Sequence, residues 1–336
     1  MFIRRSARAL LILTPAIMWM REFFMHATTS APAGATLRHR RRRSLRQREA
    51  LVGYAVIAPW LIGFLLFTAF PMIYSLYLAG TSWDLLGTPR WIGLGNVHTL
   101  VTDNLFWTSM VNTTFYTVFA VPAGLVMALG AALLLNQGVK GTNIYRLLAY
   151  LPSQLPVVAT AILWFLIFSP TYGLANDLLL HLHLPQSQWL YSTTMVKPAL
   201  IIKAAWSFGG AMIIFLAGLQ GIPPSLYEAA EIDGAGTWAQ FRSVTIPMLS
   251  PIIFFNIVLG VIASYQVFTD VFVMTQGGPG NASLMLVLYI YQNAFTYFRM
   301  GYASLLSWVL FLITLAITLG QFALQRRWVY YEGEAK

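Results

Sequence analysis

The sequence predicts an all-α membrane protein of six helices joined by short connections, and three observations predict it. Hydrophobic residues make up 58% of the 336 positions and charged ones only 10%, a ratio that no soluble domain of this length sustains. The apolar residues run in continuous stretches that suit helices of roughly 20 residues, the length that about 30 Å of hydrocarbon requires. Those stretches do not alternate in polarity at every second residue, as the strands of a membrane barrel would.

Taken in order, the spans are expected near 53–78, 107–135, 147–169, 198–220, 251–275 and 301–325. Pro59, Pro71, Pro122 and Pro156 fall inside them, which a membrane helix tolerates when neighbouring helices satisfy the freed carbonyls. The external connections, 80–105 and 170–196, are too small to be domains. The chain therefore reads as a basic N-terminal tail (1–49), a first span with its external loop (50–105), a helical core (106–325) and a cytoplasmic tail (326–336).

Orientation follows from Lys and Arg, which stay on the cytoplasmic side. With the N-terminus inside, the inner segments hold eleven basic residues before Leu51, then Lys140, Arg146, Arg242, Arg326, Arg327 and Lys336. The outer segments hold only Arg90, Lys197 and Arg299. The net charge of +10 is thus explained by membrane orientation and contact with anionic lipid, not by nucleic acid, since no basic patch is interleaved with aromatics. The run "ARALLILTPAIMWM" before it is short for a span, and three readings stay open: a start placed too far upstream, an interfacial or anchoring helix, and a cleaved signal.

Several chemistries are excluded. The chain has no cysteine, so thiolate metal sites and cysteine nucleophiles are out. His181 and His183 lie in an external loop without a third ligand, and no metal or other cofactor is expected. No G-x-x-x-x-G-K-[ST] phosphate loop occurs, because "GVKGTN" at 138–143 has the wrong order. The chain reads as no enzyme.

The stretch "SLYEAAEIDGAGTWAQFRSVTIP" at 225–247 carries three of the eleven acidic residues between two apolar runs. Ser225 and Glu228 fit a capping box that starts a helix, with Pro223 and Pro224 ending the preceding span. Gly234 is a left-handed stop, and Thr237 with Gln240 repeats the capping pattern for a second short helix that kinks into the fifth span at Pro251. Two short helices at a glycine elbow would present Tyr227, Ala229, Ala230 and Ala235 beside the acids, as a knob for a partner protein or as a plain solvated hairpin.

This stretch resembles the EAA motif of binding-protein-dependent ABC importer permeases, with Glu228, Ala229, Ala230, Asp233, Gly234, Ala235 and Pro247 at the motif's spacing and Val244 where isoleucine is usual. "WIGLGN" at 91–96, "NTTFYTVFAVPAGLVMALGAALLLN" at 112–136 and "YQVFTDVFVMTQGGPGNAS" at 265–283 are similar to the sugar branch of the type I importers, the first permease subunit of the maltose and oligosaccharide type. The resemblance implies a six-helix type I transmembrane domain whose cytoplasmic loop is a coupling helix. It also implies a second permease subunit, an ABC ATPase dimer, an extracytoplasmic solute-binding protein, a sugar as cargo, and a bacterial inner membrane with both termini cytoplasmic.

A sugar needs aromatic faces and neutral hydrogen-bonding groups along its path. Asn256, Ser264, Tyr265, Gln266, Phe268 and Thr269 form a run that no lipid-facing helix would choose, with Trp206, Ser207 and Gly209 behind them. The competing reading has Asn256 and Gln266 tying helices together. Lys203 is expected to snorkel to the outer interface; Asp270 is left to pair with a partner subunit, face a cavity or be solvated at a helix end. Glycerol phosphate or another polar solute stays open as cargo. An ion-coupled secondary transporter would need buried carboxylates that the spans almost lack, and a membrane scaffold would use the acidic hairpin as a docking site.

Overall fold

The structure, a computed structural model, describes residues 45–138 and 140–330. The expectations for the tail before residue 45, for the basic side chains up to 48 and for residues 331–336 lie outside the described residues. The described residues fall into two units, one ending at Phe64 and one beginning at Leu65, each described by itself. In the first, α1 (Leu45–Phe64) is apolar on every face from Ala50 onward, exposing Tyr54, Val56 and Trp60, as a helix in contact with lipid does.

The second unit opens with a π-helical turn, Leu65–Ala69, and α2 (Phe70–Ala79). A two-stranded antiparallel ribbon, β1 (Thr81–Ser82) with β2 (Arg90–Trp91), and α3 (Gly95–Thr102) lead to the long α4 (Asn104–Leu135). Then follow α5 (Thr142–Gln154), α6 (Val157–Ile167), α7 (Leu174–His181), α8 (Val196–Trp206) and α9 (Gly209–Gly221). Next come α10 (Pro224–Ile232), α11 (Thr237–Gln240), α12 (Ile246–Tyr265), α13 (Thr269–Met274), α14 (Leu286–Tyr291) and α15 (Met300–Gln325). Helices α8, α9 and α12 pack along α4, while α15 packs on α2.

Among the described residues, four helical runs are long and apolar enough to cross a membrane: Glu49–Ala79, Asn104–Leu135, Thr237–Tyr265 and Met300–Gln325. The other expected spans are broken. Helices α5 and α6 meet at 97°, because Pro156 holds Leu155 extended (ψ 145°) and ends the first helix. Helices α8 and α9 meet at 47° around residues 207–208. There Gly209 lets α9 approach α5 so closely that an added Cβ would sit 2.6 Å from the Ala149 carbonyl oxygen. The fifth span starts earlier than expected and stops earlier, at Tyr265, where Gln266 (ψ 12°) leaves the helix before α13 resumes the turn. Its run passes Pro251 unbroken, and the irregularity falls instead in the π-helical turn Phe241–Thr245.

The apolar interior of the described residues consists of two large clusters and a small third one of Phe254, Val258 and Val329. The first large cluster holds Phe106, Tyr116, Ala161, Leu200, Val271 and Tyr289; the second holds Ala128, Met212, Phe215, Leu219 and Leu249, with Ala149 packed against it. Helix α4 runs through both. Each of the three interruptions, α5/α6, α8/α9 and α12/α13, separates a segment that packs in one cluster from a segment that packs in the other.

Asp103 ties the first cluster together. Its Oδ1 caps α4 by accepting the N–H groups of Leu105 (2.9 Å) and Phe106 (3.3 Å), and its Oδ2 accepts the hydroxyls of Tyr289 (2.5 Å) and Tyr302 (2.6 Å). Burial pushes this carboxyl up, but the two tyrosine hydroxyls and the two backbone N–H groups together outweigh burial and hold it below the usual carboxylate range. A depressed folded-state value stabilises above the unfolded value of about 3.9 and is lost as pH falls through the folded one. Asp103→Asn is therefore expected to lower the unfolding temperature at pH 7, with the gap to the unaltered protein narrowing below about pH 4. Thermal unfolding in lipid nanodiscs across that range checks this, and a gap independent of pH contradicts it.

Candidate functional site

The hairpin at 224–245 is built differently at its ends from what its sequence suggests. Helix α10 starts at Pro224 with Pro223 as its cap, so Ser225 sits inside the first turn and makes no capping bond. Proline at the first helical position needs no N–H partner and is already set to helical φ, which displaces the serine from the cap. Likewise Gly236 caps α11, and the Gln240 amide bonds the Ala235 carbonyl oxygen (3.0 Å). The elbow is as its glycine requires: Gly234 has φ 81°, its N–H donates to Glu231 O (2.9 Å), and Ala235 N–H donates to Ala230 O (2.9 Å), the two bonds of a Schellman stop.

Glu228, Ala229, Asp233 and Gly234 are exposed, Ala230, Ala235 and Pro247 are half-buried, and Pro247 lies in the first turn of α12. Tyr227 does not face outward with the acids. Its hydroxyl lies 3.0 Å from Thr245 Oγ1, and its ring packs with Val244 against the second apolar cluster. Two side chains that the sequence reading passed over, Ile232 at 87% exposure and Trp238 at 73%, stand on the hairpin's surface. Large apolar groups therefore stand exposed beside the acids Glu228 and Asp233. The hairpin is thus anchored inward and presents an apolar face outward.

The expected pathway residues divide among several places. Asn256 and Ser264 line a cleft of about 360 Å³ between the two apolar clusters, together with Gly124, Ser207, Ala211 and Gly260. Asn256 donates to Ile252 O on its own helix (2.9 Å) and so does not tie helices together through that amide. The Tyr265 hydroxyl meets Thr114 Oγ1 across to α4 (3.0 Å). Gln266 lines a separate groove with Ser307 and Thr314. The Phe268 ring stacks on Phe272 and leans on Tyr291, Thr269 opens α13, and Trp206 meets Trp164 edge-on.

Lys203 does not snorkel. It is 5% exposed and forms an ion pair with Asp270 (2.5 Å), joining α8 to α13. Four carbons of lysine reach an interface only if nothing nearer offers a charge, and here a carboxylate does. In the "YIYQNAFTYF" stretch, Tyr289 is buried in the first cluster, while Phe295, Tyr297 and Phe298 are exposed. No group of three or more side chains able to hold a metal occurs among the described residues.

A helical membrane bundle whose helices break around a mostly apolar cleft that carries Ser207, Asn256 and Ser264, with an anchored hairpin projecting from one end, is the membrane subunit of a transporter. The chain belongs to the family described as binding-protein-dependent transport system inner membrane component, whose model matches residues 120–330. It is a transport component of the inner membrane with several spanning helices, and not an enzyme. It is 44% identical over 297 residues to the probable ABC transporter permease protein YesP of Bacillus subtilis, covering 87% of this chain and 96% of that one. It is 33% identical over 285 residues to the trehalose/maltose transport system permease protein MalF of Thermococcus litoralis, covering 82% and 94%. Among solved structures, a chain of a bacterial alginate ABC transporter, crystallised with an alginate pentasaccharide-bound periplasmic protein, is similar with a TM-score of 0.74 at 25% identity, covering 84% of this chain and 96% of that one.

Proposed function

We propose that the chain is one of two permease subunits of an ATP-driven sugar importer, forming half of the pathway and receiving force through the hairpin at 224–245. The observation that carries this is the hairpin's construction: Ile232 and Trp238 exposed at its tip, Gly234 as a fixed elbow, and Tyr227 bonded back to Thr245 beside the cluster that floors the cleft. A load applied at the tip reaches α9, α4 and α12 directly. Glu228, Ala229, Ala230, Asp233, Gly234, Ala235 and Pro247 form the coupling element. Lys140, Arg146, Arg242, Arg326 and Arg327 cluster in the segments of the hairpin's end, against Arg90, Lys197 and Arg299 at the other, which favours a cytoplasmic hairpin and cytoplasmic termini. The partners are a second permease, an ATPase dimer docked on the hairpin and an extracytoplasmic binding protein at the opposite end. The saccharide names of the similar permeases favour a sugar or oligosaccharide as cargo.

Asn256 and Ser264, with Ser207, offer the cleft's neutral hydrogen-bonding groups, and Gly124, with nothing within 4 Å of an added Cβ, leaves open space beside them. Tyr265, Phe268, Thr269 and Trp206 support this lining from behind, while Gln266 offers its amide in the neighbouring groove with Ser307 and Thr314. Ser264→Leu in the assembled transporter is expected to cut sugar uptake into proteoliposomes about tenfold or more, because misfit of even one methylene costs 1–3 kcal/mol, while ATPase recruitment stays normal. Uptake at the unaltered rate would remove the cleft from the pathway.

A further inference from the structure

Lys203 and Asp270 are each carried on a short helix that is jointed to the rest of its span. Helix α8 turns by 47° into α9 beside Ser207 and Phe208, which line the cleft, and α13 is separated from α12 by the non-helical residues 266–268. Both short helices pack in the first apolar cluster, on the side of the cleft away from the hairpin, through Ala199 and Leu200 on one and Val271 and Met274 on the other. The ion pair joins them there with both side chains almost fully buried. Among the described residues, the one hydrogen bond that these two side chains make is from Lys203 Nζ to Asp270 Oδ1. A buried pair with so few further partners gains little net stability, since desolvation of both ions nearly cancels their attraction. It does impose a condition on motion. The two charges can separate only where water reaches both, so parting α8 from α13 and wetting that end of the cleft become one event.

We infer that Lys203 and Asp270 are positioning residues for translocation: a latch that is made when the cleft's end remote from the hairpin is closed and broken when that end opens. The inference rests on the cleft being the pathway of an importer permease. It predicts that two kinds of substitution act in opposite directions. Asp270→Asn leaves a lone ammonium that is poorly solvated in the closed arrangement and hydrated in the open one, so it favours opening. The double variant Lys203→Met with Asp270→Leu removes both charges and with them the hydration gained on opening, so it favours closure.

The chain has no cysteine, so Ile202→Cys and Phe272→Cys, at half-exposed positions on the same two short helices, provide the labelling points. Spin-label distances are measured on the full assembly in nanodiscs, without nucleotide and with ATP, vanadate and binding protein. With the pair intact, a single short distance is expected without nucleotide and a longer one in the trapped state. Asp270→Asn is expected to raise the long-distance fraction without nucleotide roughly tenfold, and the double variant to lower it in the trapped state by a similar factor. If Asp270→Asn fails to assemble, the double variant, which leaves no unpaired charge, carries the test. One unchanged distance in both states, or variants that leave the fractions at their original values, overturns the latch. Sugar uptake by the unaltered assembly is recorded in the same preparations: uptake with an unchanging distance rejects the latch alone, and no uptake of any saccharide rejects the importer reading beneath it.

Discussion

Gly234→Pro is expected to leave the subunit folded, inserted and bound to its partner permease, yet to uncouple ATP hydrolysis from uptake. Gly234 has φ 81°, and proline holds φ near −65°, so the elbow cannot keep its left-handed turn. The substitution also deletes the N–H that donates to Glu231 O and, by moving the next residue, breaks the Ala235 to Ala230 bond. Nothing lies within 4 Å of an added Cβ, so the damage comes from the backbone and stays in the hairpin. A penalty of about 3 kcal/mol is relieved by unwinding the end of α10, and the apolar tip at Ile232 then no longer moves with Tyr227 and Thr245. Uptake should fall by at least about tenfold, since 1.4 kcal/mol already accounts for that factor, while each transported molecule costs more ATP. Gly234→Ala, which bears only the ~1–2 kcal/mol of a left-handed alanine, should fall between. The check is ATP hydrolysed per sugar imported in proteoliposomes, and an unchanged ratio for the proline variant would mean that force enters elsewhere.

How far the sequence could be read depended on which interactions are local. The apolar runs marked every span, because burial in lipid is decided residue by residue along one helix. Gly234 declared its turn for the same reason: left-handed φ is a property of one residue and needs no distant partner. The breaks were harder. Pro156 ends α5, although a membrane helix can absorb a proline, because its neighbours here pack in different clusters and leave no reason to continue straight. Ser225 lost the cap to Pro223 through a competition between two adequate starts, which spacing alone does not decide. The pairing of Lys203 with Asp270, 67 positions apart, and the inward turn of Tyr227 toward Thr245 depend on how helices meet, and no local pattern encodes that. The candidate lining residues were found by polarity, yet the division that sends Asn256 and Ser264 to one cleft and Gln266 to another groove follows from helix phase at the end of α12.

Asn112→Leu is expected to destabilise the protein more than any other single change of similar size. The Asn112 side chain is almost fully buried, its Nδ2 donates to Asn281 O (2.9 Å) and Leu284 O (3.1 Å), and its Oδ1 accepts from Lys197 Nζ (3.1 Å). Those carbonyls belong to the glycine-rich loop before α14, where Gln276, Gly277, Gly280 and Asn281 all have positive φ and few backbone groups bond within regular structure. The neighbouring Thr113 Oγ1 accepts the Leu286 N–H (2.9 Å), so two consecutive residues of α4 hold the loop in place. Leucine fills nearly the same volume but leaves the Leu284 carbonyl without its Asn112 donor, at roughly 1–3 kcal/mol for a buried group left unpaired, and takes one of two donors from the Asn281 carbonyl, which keeps the Leu284 N–H (3.2 Å). Lys197→Met removes only the third bond, from a residue that is half-exposed and also rests over the Phe115 ring, and should cost far less. Thermal unfolding in nanodiscs should therefore rank Asn112→Leu well below Lys197→Met, and equal losses would show that the lysine, not the loop, is what Asn112 secures. A loop freed from α4 can no longer hold Val271 and Leu284 together in the cluster that carries Asp270, so the same variant should also lose uptake at temperatures where it remains folded.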